Sequence, residues 1–265
     1  MTHPRDTRPD QGASGKVLGV LSQLRDAMET VEGHFPCEGY IYNPLVYAWP
    51  LIARYIGRYA NHTHTILILG MNPGPWGMVQ TGVPFGDVSA VRDWLRLDAP
   101  IVPPARLHPK RPVWGLECPR GEVSGQRVWG WAQQRYGSPP RFFQDFFVYN
   151  YCPLAFFSPS GANITPDRLP HHFRRELESL CDSALRQMVE FLACRGILAV
   201  GGYAYKRAQV VFHDMGLPLQ YVLHPSPANP KANRGWAEAM DAAVAALREK
   251  MESTEIRPRT ACRLS

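Results

Sequence analysis

Four short runs, residues 65–69, 146–149, 197–200 and 219–223, are almost wholly apolar, and they limit the folds open to this chain more than any other feature. A strand with one wet face alternates apolar and polar side chains. A run without alternation is buried on both faces, as in a parallel sheet covered by helices. Helical patterns fall between and around these runs, at 16–31, 88–97, 172–195, 204–215 and 232–250, with Pro170 placed to open the third. The alternation predicts an α/β fold: a three-layer α/β/α sandwich around a central, mainly parallel four-stranded sheet with right-handed crossovers. Residues 16–252 are expected to form a single domain. Disordered tails are expected at 1–15 and 253–265, the second made basic by Arg257, Arg259 and Arg263.

Composition narrows the class only a little. The six cysteines include no CxxC pair, which argues against a zinc ribbon, an iron–sulfur cluster or a dithiol redox centre. No signal peptide and no bilayer-length apolar run is visible, so the expectation is a soluble intracellular protein, nuclear in a eukaryote or cytoplasmic in a bacterium. A formal charge of +6 suits an anionic partner but does not demand one. Residues 98–140 are rich in Pro, Gly, Arg and Trp and read as a long loop. Arg106, His108, Lys110, Arg111, Arg120 and Arg127 there outnumber Glu117 and Glu122. Composition alone leaves that stretch an ordinary solvated surface.

Ligands of open α/β sheets sit beyond the C-terminal ends of the strands. Those ends present Gly70-Met71-Asn72, Asn150, Gly201-Gly202 and His224-Pro225-Ser226-Pro227. Each of Asn72, Asn150 and His224 taken alone is a common turn or cap residue. Their shared position on one rim points to a site. It contains no paired carboxylates, no metal-spaced cluster and no GxSxG, and "NPGPWG" fits neither GxGxxG nor the P-loop. Asp145 lies at the wrong end of its strand, and Asp87 reads as a helix cap. An amide such as Asn72 cannot take a proton at neutral pH, but it can orient a water. His224 can stabilise charge on a leaving group. Asn150 offers a donor and an acceptor side by side, matching the N3–H and O4 edge of uracil, provided something prevents its amide from flipping. Phe85 could stack on a flat base, although core packing is the default for a phenylalanine.

Five segments carry a family resemblance. "GMNPGPWGMVQTGVPFGDV" and "HPSPANPKANRGW" resemble the first and second motifs of the single-strand-selective monofunctional uracil-DNA glycosylases, within the uracil-DNA glycosylase superfamily. "YIYNPLVYAW", "HPKRPVWGLECPRGEVSGQRVWG" and "NYCPLAFFSPSGANITP" are similar to further segments of that family, in the same order, so the likeness spans residues 39–236. It implies that Asn72 positions the hydrolytic water, Phe85 stacks on an extruded base, Asn150 reads the pyrimidine edge and His224 bonds the base oxygen. It also implies that Gly74 and Met78 surround the 5-substituent, with Met71 beside them, so that 5-hydroxymethyluracil joins uracil as a substrate. No metal or cofactor is implied, and the product is an abasic site in an uncut strand.

The resemblance further makes Ser226, Pro227, Ala228, Asn229, Pro230, Lys231 and Arg234 a DNA-binding loop, its prolines stiffening a wedge and its two cations meeting phosphate. The expected partner is single- and double-stranded DNA containing uracil or oxidised pyrimidines, handled by a monomer, with no membrane involved. The sequence departs from the family at Ala228, where an arginine is commoner, and at Trp76, usually phenylalanine. A superfamily relative acting on xanthine or hypoxanthine, a catalytically weak nucleic-acid-binding relative and an unrelated nucleotide-binding regulator remain open on the motifs.

Overall fold

A computed structural model describes residues 12–35, 38–61 and 64–256. The helices are α1 (Ala13–Gly33), α2 (Pro44–Tyr47), α3 (Trp49–Tyr59), α4 (Met78–Thr81), α5 (Val123–Tyr136), α6 (Pro139–Asp145), α7 (His171–Phe191), α8 (Gly202–Val211) and α9 (Trp236–Ile256). The strands are β1 (Tyr40–Tyr42), β2 (Ile66–Gly70), β3 (Phe146–Asn150), β4 (Ala155–Phe157), β5 (Asn163–Ile164), β6 (Gly196–Val200) and β7 (Leu219–Val222).

The four apolar runs are β2, β3, β6 and β7. They pair in the order β3-β2-β6-β7, every pair parallel. All residues of β2, β3 and β6 are buried, which is why those runs lack alternation. β7 lies at the sheet edge and is more exposed. Lys250 covers part of that edge, donating to Leu219 O at 3.0 Å. Helices flank the sheet in two groups. In one, α1 packs on α3 and α7, and α7 on α8. In the other, α9 packs along β6 and β7 and meets α5, which packs on α6. Among the described residues, no helix is long and apolar enough to cross a membrane, and Cys118, Cys152, Cys181 and Cys194 are free and buried.

Three features differ from expectation. The helices reach further than anticipated: α1 begins at Ala13 and α9 runs to Ile256, each entering a stretch expected to be a disordered tail. The remainder of those tails, with Arg257, Arg259 and Arg263, lies outside the described residues. Secondly, β1, β4 and β5 form a small antiparallel sheet that was not anticipated, because strands of two or three residues are too short to show a period. Thirdly, the supposed loop at 98–140 contains α5 and the start of α6. Gly125 and Gly130 in α5 lower its helix propensity and hide it in the sequence. Gly125 is there for packing, since a Cβ at that position would collide with the Phe85 carbonyl.

Candidate active site

A cleft of about 370 Å³ opens at the C-terminal ends of β2 and β3, lined by Met71, Asn72, Gly74, Met78, Phe85, Asn150, His224, Ser226 and Pro227 among others. All three rim residues proposed from strand ends, with the aromatic expected to stack, therefore face one space.

Parallel pairing sets the floor. Gly70 of β2 lies opposite Asn150 of β3, and the two chains stay paired just past the strands through Tyr151 N to Gly70 O and Cys152 N to Met71 O. A Cβ on Gly70 would fall on Asn150 Oδ1 and within 2.7 Å of the Phe85 ring, so only glycine leaves room for that amide and ring together. Asn150 is 3 % exposed. Its Nδ2 donates to Met78 Sδ at 3.2 Å, while its Oδ1 is buried with no hydrogen-bond partner. An unmet buried acceptor costs about 1–3 kcal/mol, a cost that a ligand donor would relieve. The sulfur also fixes the amide: a flip would set Oδ1 against Sδ, acceptor against acceptor.

Phe85 forms a wall of the cleft and adopts a left-handed backbone, φ 53°. For a bulky residue such a conformation costs about 1–3 kcal/mol and persists only where the surroundings impose it. Here Trp129 Nε1 and Asp87 N both donate to the Phe85 carbonyl, at 3.1 and 2.7 Å. The Phe85 and His224 rings lie 6.4 Å apart.

His224 follows β7. Its Nδ1 accepts the Ser226 N–H at 3.1 Å, which leaves the proton of a neutral ring on Nε2. Burial pushes the His224 pKa below its ordinary value, so the neutral form prevails at pH 7. Asn72 Nδ2 donates to Leu154 O at 3.5 Å, just ahead of β4, which leaves Oδ1 as the acceptor that a water could use.

The loop after His224 is internally bonded. Ala228 N donates to Ser226 Oγ, Lys231 N to Asn229 Oδ1 and Asn233 Nδ2 to Pro227 O. Arg127 of α5, read from sequence as part of a basic surface, pins this loop by donating to Pro225 O at 2.9 Å and Asn233 Oδ1 at 2.8 Å. Ser226 and Pro227 line the cleft. Ala228, Asn229, Pro230, Lys231 and Arg234 continue outside it, with Ala228, Pro230, Lys231 and Arg234 exposed.

The two carboxylates weighed from sequence are occupied elsewhere. Asp87 is buried and accepts from Glu122 N, Gln126 Nε2 and Ser89 Oγ, and Asp145 pairs with Arg248 at 2.9 Å. Sequence reasoning missed Glu122, Ser124, Asn163 and Thr165, which also line the cleft. A Cβ on Gly74 would come within 2.6 Å of Glu122 Oε2, and that oxygen accepts the Trp76 N–H at 3.3 Å. Burial pushes the Glu122 carboxyl above the usual carboxylate range; the Trp76 bond opposes the shift and nearby Asp87 adds to it. Among the described residues, no group of His, Cys, Asp and Glu is arranged to hold a metal ion.

Residues 57–248 match the Uracil DNA glycosylase superfamily. The chain belongs to that superfamily. Relatives named single-strand selective monofunctional uracil DNA glycosylase are 46% identical in Mus musculus, over 89% of this chain and 83% of that protein, and 50% identical in Bos taurus, over 75% and 74%. The crystal structure of SMUG2 from Pedobacter heparinus superposes with a TM-score of 0.63 at 18% identity, covering 85% of this chain and 98% of that one, a likeness of fold. The family and the α/β class expected from the sequence both stand, and with the family goes the enzyme class, a DNA glycosylase.

Proposed function

We propose that this glycosylase is monofunctional and hydrolyses the N-glycosidic bond of extruded uracil and 5-substituted uracils, 5-hydroxymethyluracil included, in single- and double-stranded DNA. The observation that carries the proposal is the pairing at Asn150: an unpartnered, buried Oδ1 beside an Nδ2 whose orientation a sulfur fixes. Oδ1 would accept N3–H of uracil and Nδ2 would donate its second hydrogen to O4. Cytosine would set acceptor against acceptor at N3 and donor against donor at the exocyclic amine. Phe85 supplies a face on which the base can stack.

In the reaction the C1′–N1 bond breaks with both electrons passing to the base. Charge collects on O2, where the Nε2–H of neutral His224 donates to it. Asn72 Oδ1 orients a water that adds to the cationic C1′ and loses a proton to solvent. The groups are placed before the base arrives, so little reorganisation is left for the moment of bond breaking. Met78 lies beside the amide that meets O4, hence near C5, and Gly74 shares its loop. The 5-substituent reading rests on the likeness to the uracil glycosylases, since the space a Gly74 side chain would fill is taken by Glu122 Oε2. With no lysine nucleophile invoked, the strand would be left uncut at an abasic site.

The stiff loop at 224–235 would enter the space a base vacates, with Lys231 and Arg234 on phosphates. Ala228 fills that space poorly. Extruding a base from a duplex costs a few kcal/mol, so Ala228→Arg is expected to raise the duplex-to-single-strand activity ratio about tenfold. Rates on matched uracil substrates measure it, and an unchanged ratio would remove Ala228 from the wedge. The base assignment itself is tested by oligonucleotides carrying uracil, 5-hydroxymethyluracil, cytosine, xanthine or hypoxanthine. Release of the two uracils alone is expected. Preferential release of either purine would overturn it.

A further inference from the structure

Beside the cleft, two tryptophans lie together: Trp76 and Trp114 stack with ring centroids 6.0 Å apart and planes 18° from parallel. Trp114 is 44 % exposed, an unusual state for so large an apolar ring. Arg120 holds its guanidinium 4.4 Å from the Trp76 ring centroid and Arg111 holds its own at 5.3 Å. Neither arginine pairs with a carboxylate among the described residues. Arg111 is steadied through Nε, which donates to Gly161 O at 2.8 Å.

This arrangement is built. Gln80 is fully buried, and its amide joins the two loops: Nε2 donates to Pro75 O at 3.0 Å and to Pro112 O at 2.9 Å, and Oε1 accepts the Trp114 N–H at 2.8 Å. Glu122 holds the Trp76 amide from the cleft side. Pro75, adjacent to Trp76, lines the cleft, so the pair continues its wall. Polar bonds that fix an exposed aromatic against a second ring flanked by two cations without carboxylate partners, next to a site for an extruded base, match how proteins hold single strands: a π face for a base and cations for its phosphates.

We infer that Trp114, backed by Trp76, Arg111 and Arg120, stacks an unpaired base of the same DNA strand close to the extruded nucleotide. The inference rests on the proposed action on DNA and adds a second base site to it. A base held in a duplex is already stacked on its neighbours and cannot be taken up, so the platform favours single strands.

The test is the affinity of the full chain for a single-stranded oligonucleotide with a central abasic analogue, read by fluorescence anisotropy. Trp114→Ala is expected to raise Kd about tenfold and Trp114→Phe to recover most of that loss. Replacing flanking bases one at a time by abasic spacers should weaken wild-type binding by a similar factor at one position, where the alanine variant loses nothing further. Equal affinity of wild type and Trp114→Ala would overturn the inference, as would spacers that weaken both proteins alike at every position. Because the readout is binding, a wild-type protein that released no uracil would overturn the glycosylase proposal while these affinities still decide the platform.

Discussion

Replacing His224 with leucine is expected to lower single-turnover base release from uracil-containing single strands by about 10²–10³-fold, the usual loss when a preplaced donor to a developing oxyanion is removed. The affinity for an abasic-site oligonucleotide should stay close to wild type, because in the proposed reaction the ring acts on charge that appears only as the bond breaks. The tautomer gives this prediction a pH dependence. Nδ1 is occupied by the Ser226 N–H, so protonation there would break that bond and reshape the loop that follows. Burial depresses the His224 pKa below the ordinary value of about 6.5. The folded protein therefore binds this proton less readily than the unfolded chain does. The contribution of the neutral ring to stability is full above the unfolded pKa and is lost as pH falls through the folded one. Base release should hold steady from neutral pH upwards and decline below the depressed pKa, and His224→Leu should lose that acid limb. A variant within threefold of wild type, or one that keeps the acid limb, would remove His224 from the chemistry.

The second large effect falls on a residue that does not line the cleft. Gly70→Ala puts a methyl group on Asn150 Oδ1 and against the Phe85 ring. The Asn150 amide and the aromatic wall cannot both hold their positions. The two hydrogen bonds proposed between Asn150 and the base are then lost in a buried site at about 1–3 kcal/mol each, so kcat/KM for uracil release should fall on the order of 10³-fold. The fold itself should lose about 1–3 kcal/mol from overpacking, leaving the protein folded at room temperature. Kinetics together with a thermal melt separate the two effects. A variant that melts lower but releases uracil at the wild-type rate would show that Asn150 does not read the base.

What could be read from sequence follows from the length over which each signal acts. The parallel strands were legible because being buried on both faces imposes a continuous apolar run, and their ends brought Asn72, Asn150 and His224 to one rim without any knowledge of side-chain geometry. α5 was not legible. The glycine that weakens its helical signal, Gly125, is needed for contact with the Phe85 carbonyl, so local propensity yields there to the site. Glu122 shows in the sequence only as a charge, since its place over Gly74 depends on α5 docking against the loop after β2. Arg127 likewise shows only as a charge and spends its guanidinium on the loop after His224. Leu154, which turns the Asn72 amide, precedes a strand too short to show a pattern.

The central claim is that a fixed amide, a neutral imidazole and an oriented water detach a base with no contribution from a metal or a covalent enzyme intermediate. It is tested most directly by incubating the protein and EDTA with a single-stranded oligonucleotide carrying one uracil, then measuring free base and strand integrity by mass spectrometry. The account predicts stoichiometric free uracil and a strand that breaks only after alkali. Breakage without alkali, or release abolished by the chelator, would contradict it.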